Sequence, residues 1–308
     1  MSILFAGTPS NAADTLRQLV HAGVPITLVL TRPDAPVGRN RVLTASPVAI
    51  VAGELGIPTL KSSSVDSVVA KSIVEAKIDL AIVVAFGVLL KTEALAATRL
   101  GWFNLHYSLL PKWRGAAPVQ RALLNGETET GVTLFKIDLG LDTGNLVASV
   151  PTRIEPTDNA DTLLTRLSQL GVTLLLQELP GILSETTQLF AQDQNSFSVA
   201  SKIQRSEAQL NFDDTAKRAE WLVRGCNPEP GAWTTTNKGL ELKIHQAFSR
   251  QALNLEAGRV ELVDGRVFVG CLESSLELLE VQPAGKNRMS AAAWFRGLNS
   301  EVQLGSGE

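Results

Sequence analysis

The chain has 308 residues, of which 44% are hydrophobic, so it can build one large core or two smaller ones. Its formal net charge is -3, so the chain lacks the broad basic surface that many proteins use to bind nucleic acids or membranes. The 2 cysteines are too few for a disulfide framework and lack the spacing of metal ligands, so we expect no metal site.

Apolar segments give no sign of a membrane or export signal. No charged region followed by a long apolar stretch precedes Ile3, which argues against a signal peptide. The longest apolar run, residues 80–90, is too short to cross a bilayer and is interrupted by Gly87. We expect a cytoplasmic protein that does not attach to membranes and that works as a monomer.

The first half of the chain alternates short apolar runs with helical patterns. Apolar strands separated by helices predict a parallel sheet that is covered on both faces. Ligands bind beyond the carboxyl ends of such strands. Gly7 lies at one of these ends, but the glycine spacing of a dinucleotide fingerprint is missing, which argues against a dehydrogenase. We predict strands at 3–6, 26–30 and 80–85, and helices at 12–21, 47–55 and 68–76.

The pattern changes after Asn104. Residues 131–150 read as strand, turn and strand, and a helix over about 157–179 precedes Pro180. Residues 187–204 are rich in Gln, Ser and Thr and lack a clear period, which is typical of a linker. A helix over 216–224 and five short strands between 232 and 281 predict a small β-barrel. We therefore divide the chain into domains at 1–186 and 205–308.

Three polar side chains suited to acyl transfer lie close in sequence. Asn104 and His106 are two residues apart on an extended segment, so both project from one face. Asp142 lies in a turn between two glycines. An amide can bond a developing oxyanion, an imidazole can relay a proton, and a carboxylate can orient or charge the imidazole. The alternative is a turn amide, a core histidine and an Asx turn that never meet. Asp138, about 13 Å away on an extended chain, is the other nearby carboxylate.

A longer pattern surrounds these residues. The run Asn104-x-His106-x-Ser108-Leu-Leu-Pro-x-Trp-Arg-Gly-Ala-Ala-Pro118 resembles the signature of the folate-dependent formyltransferases, and within them of the enzymes that act on methionyl-tRNA. The resemblance extends from residue 3 to about residue 290. Further similar segments are 5–9, 33–39, 43–47, 84–87, 281–286 and 289–290.

The resemblance implies a Rossmann-like α/β catalytic domain, an OB-like C-terminal barrel, and 10-formyltetrahydrofolate as the formyl donor. It implies that Asn104 donates to the oxyanion and that His106 transfers a proton. Asp142 would hold His106 by a charge-assisted hydrogen bond and favour its protonated form. At position 107 the family pattern has a small residue, and here the chain has Tyr107. The implied folate contacts are Ser108, Leu109, Leu110 and Pro111, together with Val84, Phe86, Gly87 and Leu89.

The same resemblance implies methionyl initiator tRNA as the acceptor. Arg39 and Arg41 lie in a loop whose family counterpart enters the acceptor end of the tRNA, and the C-terminal domain would bind the tRNA as well. Three alternatives stay open: a formyltransferase for a small amine such as a purine precursor or an amino sugar, a hydrolase that releases formate, and a non-catalytic folate- or RNA-binding protein. A basic loop and a second domain are not needed for a small amine, which argues against the first.

Overall fold

The structure is a computed structural model that describes residues 1–38, 40–250 and 253–305. Arg39, one of the two predicted tRNA contacts, therefore lies outside the described residues. Contacts divide the chain into two compact units, and neither unit is one continuous stretch. The first unit comprises residues 1–118, 129–153 and 164–200, and the second comprises residues 119–128, 154–163 and those from 201 onward.

The first unit is built on a seven-stranded sheet. The strands of this unit are β1 (Ile3–Gly7), β2 (Ile26–Thr31), β3 (Ala35–Val37), β4 (Val42–Thr44), β5 (Thr59–Lys61), β6 (Leu80–Val84), β7 (Gly101–His106), β8 (Arg114–Gly115), β9 (Glu129–Lys136), β10 (Leu146–Arg153) and β11 (Val199–Ala200). Two small two-stranded sheets, β3-β4 and β8-β11, accompany the seven-stranded sheet. The main sheet has the order β10-β9-β7-β6-β1-β2-β5. The five strands from β7 to β5 are parallel, whereas β9 and β10 pair antiparallel. The predicted parallel sheet and its change after Asn104 are confirmed.

Helices connect the parallel strands, and local side chains fix where two of them begin. Ser46 accepts a hydrogen bond from the backbone of Ala49, and Asp66 accepts two in the same manner, so each caps a helix. The prediction of a helix end at residue 179 was wrong, because that helix continues through Pro180, which is exposed to solvent. The helices are α1 (Ser10–His21), α2 (Pro47–Glu54), α3 (Ser67–Glu75), α4 (Thr92–Leu95), α5 (Pro118–Leu124) and α6 (Ala160–Leu183).

The central strands lie in the core of this unit. Every residue of β1 and β6 is buried, which explains why both strands read as continuous apolar runs. On one face of the sheet, Leu4, Ile73 and Trp102 belong to one cluster of buried side chains. The indole nitrogen of Trp102 donates to the carbonyl oxygen of Ala94 at 2.8 Å, which satisfies the buried N–H group. This packing fixes β7, the strand that carries Asn104 and His106.

A small hairpin replaces the predicted loop after the second strand. Strands β3 and β4 pair antiparallel, with Val37 opposite Val42. All the residues of both strands are exposed. Arg41 lies in the turn between the two strands, has a positive φ of 49° and is exposed as well.

The second unit is built on an antiparallel sheet, and its residues 119–128 include most of α5. It contains a short 3-10 helix (Ser206–Ala208), α7 (Ala216–Cys226), β12 (Trp233–Thr235), β13 (Glu241–Arg250), β14 (Val260–Val263), β15 (Arg266–Cys271), β16 (Ser274–Pro283), β17 (Met289–Ser290) and α8 (Ala291–Arg296). The sheet order is β12-β13-β16-β15-β14, with β17 on β16. Leu304 bridges to Thr236 after β12, and Gln303 bridges to Arg259 before β14. The two edges of the sheet thus meet the same short segment, and the predicted second domain of short β-strands is confirmed.

Across the described part of both units, no helix is long and apolar enough to cross a membrane.

Candidate active site

A cavity of about 410 Å³ lies in the first unit, beyond the carboxyl ends of β6 and β7. That is the edge at which parallel sheets bind ligands. Its polar side chains are few, and they include all three predicted catalytic residues, Asn104, His106 and Asp142, as well as Asp138. The remaining wall is made of glycine and apolar residues: Val83, Ala85, Phe86, Gly87, Val88, Leu89, Leu90, Leu105, Gly115, Ala116, Pro118, Ile137, Gly140 and Leu141, with Tyr107.

Strand β7 presents Asn104 and His106 to this cavity. Side chains alternate along a strand, so both share a face with Trp102, as the spacing predicts. Within the described residues, Oδ1 of Asn104 is a buried oxygen without a hydrogen-bond partner. Buried polar atoms are normally paired, so an unpaired one at a cavity wall is available to a ligand.

His106 is only 5% exposed, and two groups contact its ring nitrogens. Nε2 lies 2.8 Å from the carbonyl oxygen of Trp113, and Nδ1 lies 3.7 Å from Oδ2 of Asp142. Because a carbonyl only accepts hydrogen bonds, Nε2 carries a proton, and the neutral ring keeps its lone pair on Nδ1. The distance of 3.7 Å is longer than the charge-assisted hydrogen bond that we predicted.

Burial decides the charge of this histidine. It lowers the pKa of His106 from its ordinary value, and this effect outweighs the carboxylate of Asp142 and the carbonyl of Trp113, which both raise the pKa. Asp142 therefore favours the protonated form of His106, as the resemblance implies, but in the free protein the opposing effect of burial is larger. A neutral imidazole with an open Nδ1 is suited to accept a proton.

The two nearby carboxylates have different tasks. Asp138 accepts hydrogen bonds from the backbone of Gly140 at 3.0 Å and from the hydroxyl of Thr143 at 2.6 Å, so it organises its own turn. Asp142 instead reaches out of the turn. Its Oδ2 accepts from the backbone nitrogen of Gly115 at 2.8 Å and faces His106. These contacts favour Asp142 over Asp138 as the partner of His106.

Only part of the predicted folate site lines the cavity. Phe86, Gly87 and Leu89 do so, whereas Val84 is fully buried at the end of β6. The other predicted folate contacts, Ser108, Leu109, Leu110 and Pro111, are not among the residues that line the cavity.

Internal hydrogen bonds explain where that segment lies. The hydroxyl of Ser108 donates to the carbonyl oxygen of Lys112 at 2.6 Å. Thr133 donates to the carbonyl oxygen of Ser108 at 2.7 Å and accepts from the backbone nitrogen of Leu110 at 3.2 Å. The segment is thereby fastened to β9.

Tyr107 departs from the family pattern and lies against two helices. It is the only tyrosine of the chain and is 7% exposed. Its hydroxyl accepts from Nδ2 of Asn11 on α1 at 3.2 Å and from the hydroxyl of Ser168 on α6 at 3.3 Å. Burial raises the pKa of Tyr107, so the phenol stays neutral. The hydroxyl is therefore held by these helices and not by the catalytic side chains.

Sequence reasoning missed several residues that support the catalytic side chains. Trp113 supplies the carbonyl that binds His106, and Gly115 supplies the N–H that binds Asp142. Gln192 comes from the segment that we interpreted as a linker, and its Nε2 donates to the carbonyl oxygens of Asp142 and Gly144 at 2.9 and 2.7 Å. Backbone contacts carry no composition signal, and the segment around Gln192 has no periodicity.

Comparison with known proteins supports the same chemistry. The family model described as formyl transferase matches residues 1–179, and the model of its C-terminal domain matches residues 202–299. The chain belongs to the formyl transferase family. No cluster of three or more His, Cys, Asp or Glu that could hold a metal ion occurs among the residues that the structure describes.

Relatives within this family match along almost their whole length. The methionyl-tRNA formyltransferase of Arthrobacter sp. (strain FB24) is 45% identical over 300 residues, which cover 96% of this chain and 97% of that protein. The methionyl-tRNA formyltransferase of Streptomyces coelicolor is 42% identical, with 96% of both chains covered. Among solved structures, an N-formyltransferase of Helicobacter canadensis in complex with folinic acid and dTDP-3-aminofucose has a TM-score of 0.66 at 20% identity, covering 91% of this chain and 98% of that one. At that identity the likeness shows the shared fold.

Proposed function

We propose that this formyl transferase moves the formyl group of 10-formyltetrahydrofolate to the α-amino group of methionine on initiator tRNA. The observation that carries the proposal is the meeting of Asn104, His106 and Asp142 at one cavity. It is made in a chain that is 45% identical to a methionyl-tRNA formyltransferase over 97% of that protein. Two side chains of strand β7 and one from a separate turn converge on this cavity, and packing alone would not explain why all three are polar.

The cavity fits a folate. Its volume of about 410 Å³ lies in the range of small-molecule sites, and its wall is largely apolar with a few polar groups. Phe86, Gly87 and Leu89 would hold the pterin side, and the unpaired oxygen of Asn104 is available for a polar contact. When bound, the folate supplies an activated formyl carbon.

The side chains of this site suit the proton transfers of an acyl transfer. The neutral Nδ1 of His106 accepts a proton from the incoming amine, while Nε2 stays fixed on the carbonyl of Trp113. The imidazolium that forms faces the carboxylate of Asp142, which stabilises it. As the bond between the formyl carbon and the folate nitrogen breaks, His106 gives this proton to the departing nitrogen and is neutral again. The amide nitrogen of Asn104 donates to the oxygen on which negative charge develops, a contact whose loss typically costs on the order of 10²–10³ in rate.

The acceptor is tRNA rather than a small amine. Arg41 lies on the exposed hairpin of β3 and β4, and Arg39 lies two residues before it in the sequence. A small amine would require neither this hairpin nor a second unit. We propose that both arginines contact the acceptor end and that the C-terminal domain, residues 205–308, binds the tRNA further along. We also propose that the protein acts as a monomer in the cytoplasm, with residues 1–186 as its catalytic domain and 187–204 as a linker.

The decisive test is a transfer assay. The protein is incubated with 10-formyltetrahydrofolate labelled in its formyl group and with initiator tRNA charged with methionine. We expect labelled N-formylmethionine on the tRNA. Parallel reactions contain an amino-sugar nucleotide or no acceptor. Transfer to the sugar would indicate a small-amine enzyme, labelled formate without an acceptor would indicate a hydrolase, and binding of folate without turnover would indicate a non-catalytic protein.

A further inference from the structure

Gln192 lies behind the active site and connects a buried arginine to the turn that carries Asp142. Its side chain is 6% exposed, and that of Arg114 is 5% exposed. Nε and Nη2 of Arg114 donate to Oε1 of Gln192 at 3.0 and 2.7 Å. The amide nitrogen of Gln192 then donates to the carbonyl oxygens of Asp142 and Gly144. The side-chain amide of Gln192 thus accepts hydrogen bonds through its oxygen and donates hydrogen bonds through its nitrogen.

The turn that Gln192 contacts requires such support. Asp142 has a positive φ of 51°, a conformation that a residue with a side chain seldom adopts unless its surroundings hold it there. The two carbonyls that Gln192 binds lie on either side of Thr143, so the amide spans the bend. Gly115, the residue after Arg114, donates to Oδ2 of Asp142. The short strand β8 thus contacts the carboxylate directly and the backbone of the turn only through Gln192.

The arginine in turn is held by the segment that brings Gln192. Strand β8 pairs in parallel with β11, and the backbone nitrogen of Arg114 donates to the carbonyl oxygen of Ser198 at 2.9 Å. The guanidinium carbon lies 5.1 Å from the ring centre of Phe197, and Nη1 donates to Oε1 of Gln194 at 3.2 Å. A buried cation bound to amide oxygens polarises the amide and strengthens its donation at the other end.

We propose that Gln192 is a positioning residue for the formyl transfer, which holds Asp142 against His106 while Arg114 fixes Gln192 itself. The proposal rests on the function proposed above, because its consequence for rate is expected through Asp142. Gln192 touches no reacting atom. Its effect should therefore appear in kcat and in the proton affinity of His106, and not in the binding of folate or tRNA.

The test compares Gln192→Met with Gln194→Met as a matched control. Gln194 also binds Arg114 but makes no hydrogen bond to the Asp142 turn. We expect Gln192→Met to lower kcat about tenfold or more, with both KM values within about twofold of wild type, because a small misplacement of a catalytic group is costly. Gln194→Met should stay near wild type. Since a methionine beside Arg114 can destabilise the fold, the double variant Arg114→Met/Gln192→Met removes donor and acceptor together and should behave as Gln192→Met does.

A second readout does not depend on turnover. The chain has 3 histidines, so the His106 imidazole can be followed by NMR titration of the substrate-free protein. In Gln192→Met its pKa should move from the wild-type value toward that of Asp142→Asn, because the carboxylate leaves its place.

An unchanged pKa in Gln192→Met would overturn the proposal, as would equal rate losses in Gln192→Met and Gln194→Met. A failed transfer assay on wild-type protein would refute the proposed function while the titration still decides the role of Gln192.

Discussion

Thr133 is the residue through which the sheet holds the active-site loop, and its hydroxyl is the most informative atom to remove. It is fully buried on β9. The hydroxyl donates to the carbonyl oxygen of Ser108 and accepts from the backbone nitrogen of Leu110, with Oγ of Ser149 at 3.0 Å. Thr133→Val keeps the shape of the side chain but leaves both backbone groups of the loop unpaired.

The structure gives the size of the expected effect. A buried group that loses its partner costs about 1–3 kcal/mol, so two such groups cost about 2–6 kcal/mol of unfolding free energy. That is a large part of the about 5–15 kcal/mol that stabilises a typical protein. The loop continues to Trp113, whose carbonyl fixes Nε2 of His106, so we also expect a lower kcat. The matched control is Thr133→Ser, which keeps the hydroxyl and loses one methyl group, at about 1 kcal/mol.

Urea denaturation followed by tryptophan fluorescence measures the difference. Thr133→Val should unfold at a clearly lower urea concentration than Thr133→Ser. If the two variants unfold at the same concentration and turn over equally fast, the hydroxyl does not hold the loop, and the connection from β9 to His106 is refuted.

Four further predictions concern the site, the hairpin and the sheet. Asn104→Ala should lower kcat about 10²- to 10³-fold in the transfer assay with little change in folding. Burial lowers the pKa of His106, so the unfolded chain binds a proton at this residue more readily than the folded protein does. The neutral His106 therefore stabilises the fold fully above the unfolded pKa of about 6.5, and this stabilisation is lost as the pH falls below that value. We expect His106→Gln to lose less thermal stability than wild type between pH 7.5 and 5.5. Replacing Arg39 and Arg41 by alanine should weaken use of charged tRNA and flatten its salt dependence, and an unchanged KM for tRNA would count against the hairpin contact. Gly131→Ala should yield little folded protein, since a Cβ there would lie 2.4 Å from a neighbouring side chain and from a backbone oxygen.

Periodicity explains how much of the fold the sequence predicted. The runs at residues 3–6 and 80–85 are uniformly apolar because β1 and β6 are buried on both faces. Asn104 and His106 interrupt the same kind of run in β7. Their spacing of two is the period of a strand, so their common face followed from geometry alone. Their position at a ligand site then followed from the rule that ligands bind beyond the carboxyl ends of parallel strands.

Residues without a period escaped prediction. The hairpin of β3 and β4 has exposed side chains, so no apolar face marks its strands. Residues 187–200 show no helix or strand period, but Phe190 bridges to Leu146 and Val199 pairs with Arg114 through backbone hydrogen bonds. Backbone pairing of this kind depends on which chain segment lies alongside, and composition does not encode that neighbour.

The motif that carried the family resemblance therefore has two parts with different tasks. Its later part, from Gly115 to Pro118, reaches the cavity wall, whereas Ser108 to Pro111 lies behind it. The earlier part holds the loop shape: Ser108 bonds Lys112, and the carbonyl of Trp113 fixes the tautomer of His106. A segment that orients a proposed catalytic base must hold its shape closely, because small errors in position are costly to rate. A motif beside a cavity can therefore indicate the chemistry through residues that do not line the cavity themselves.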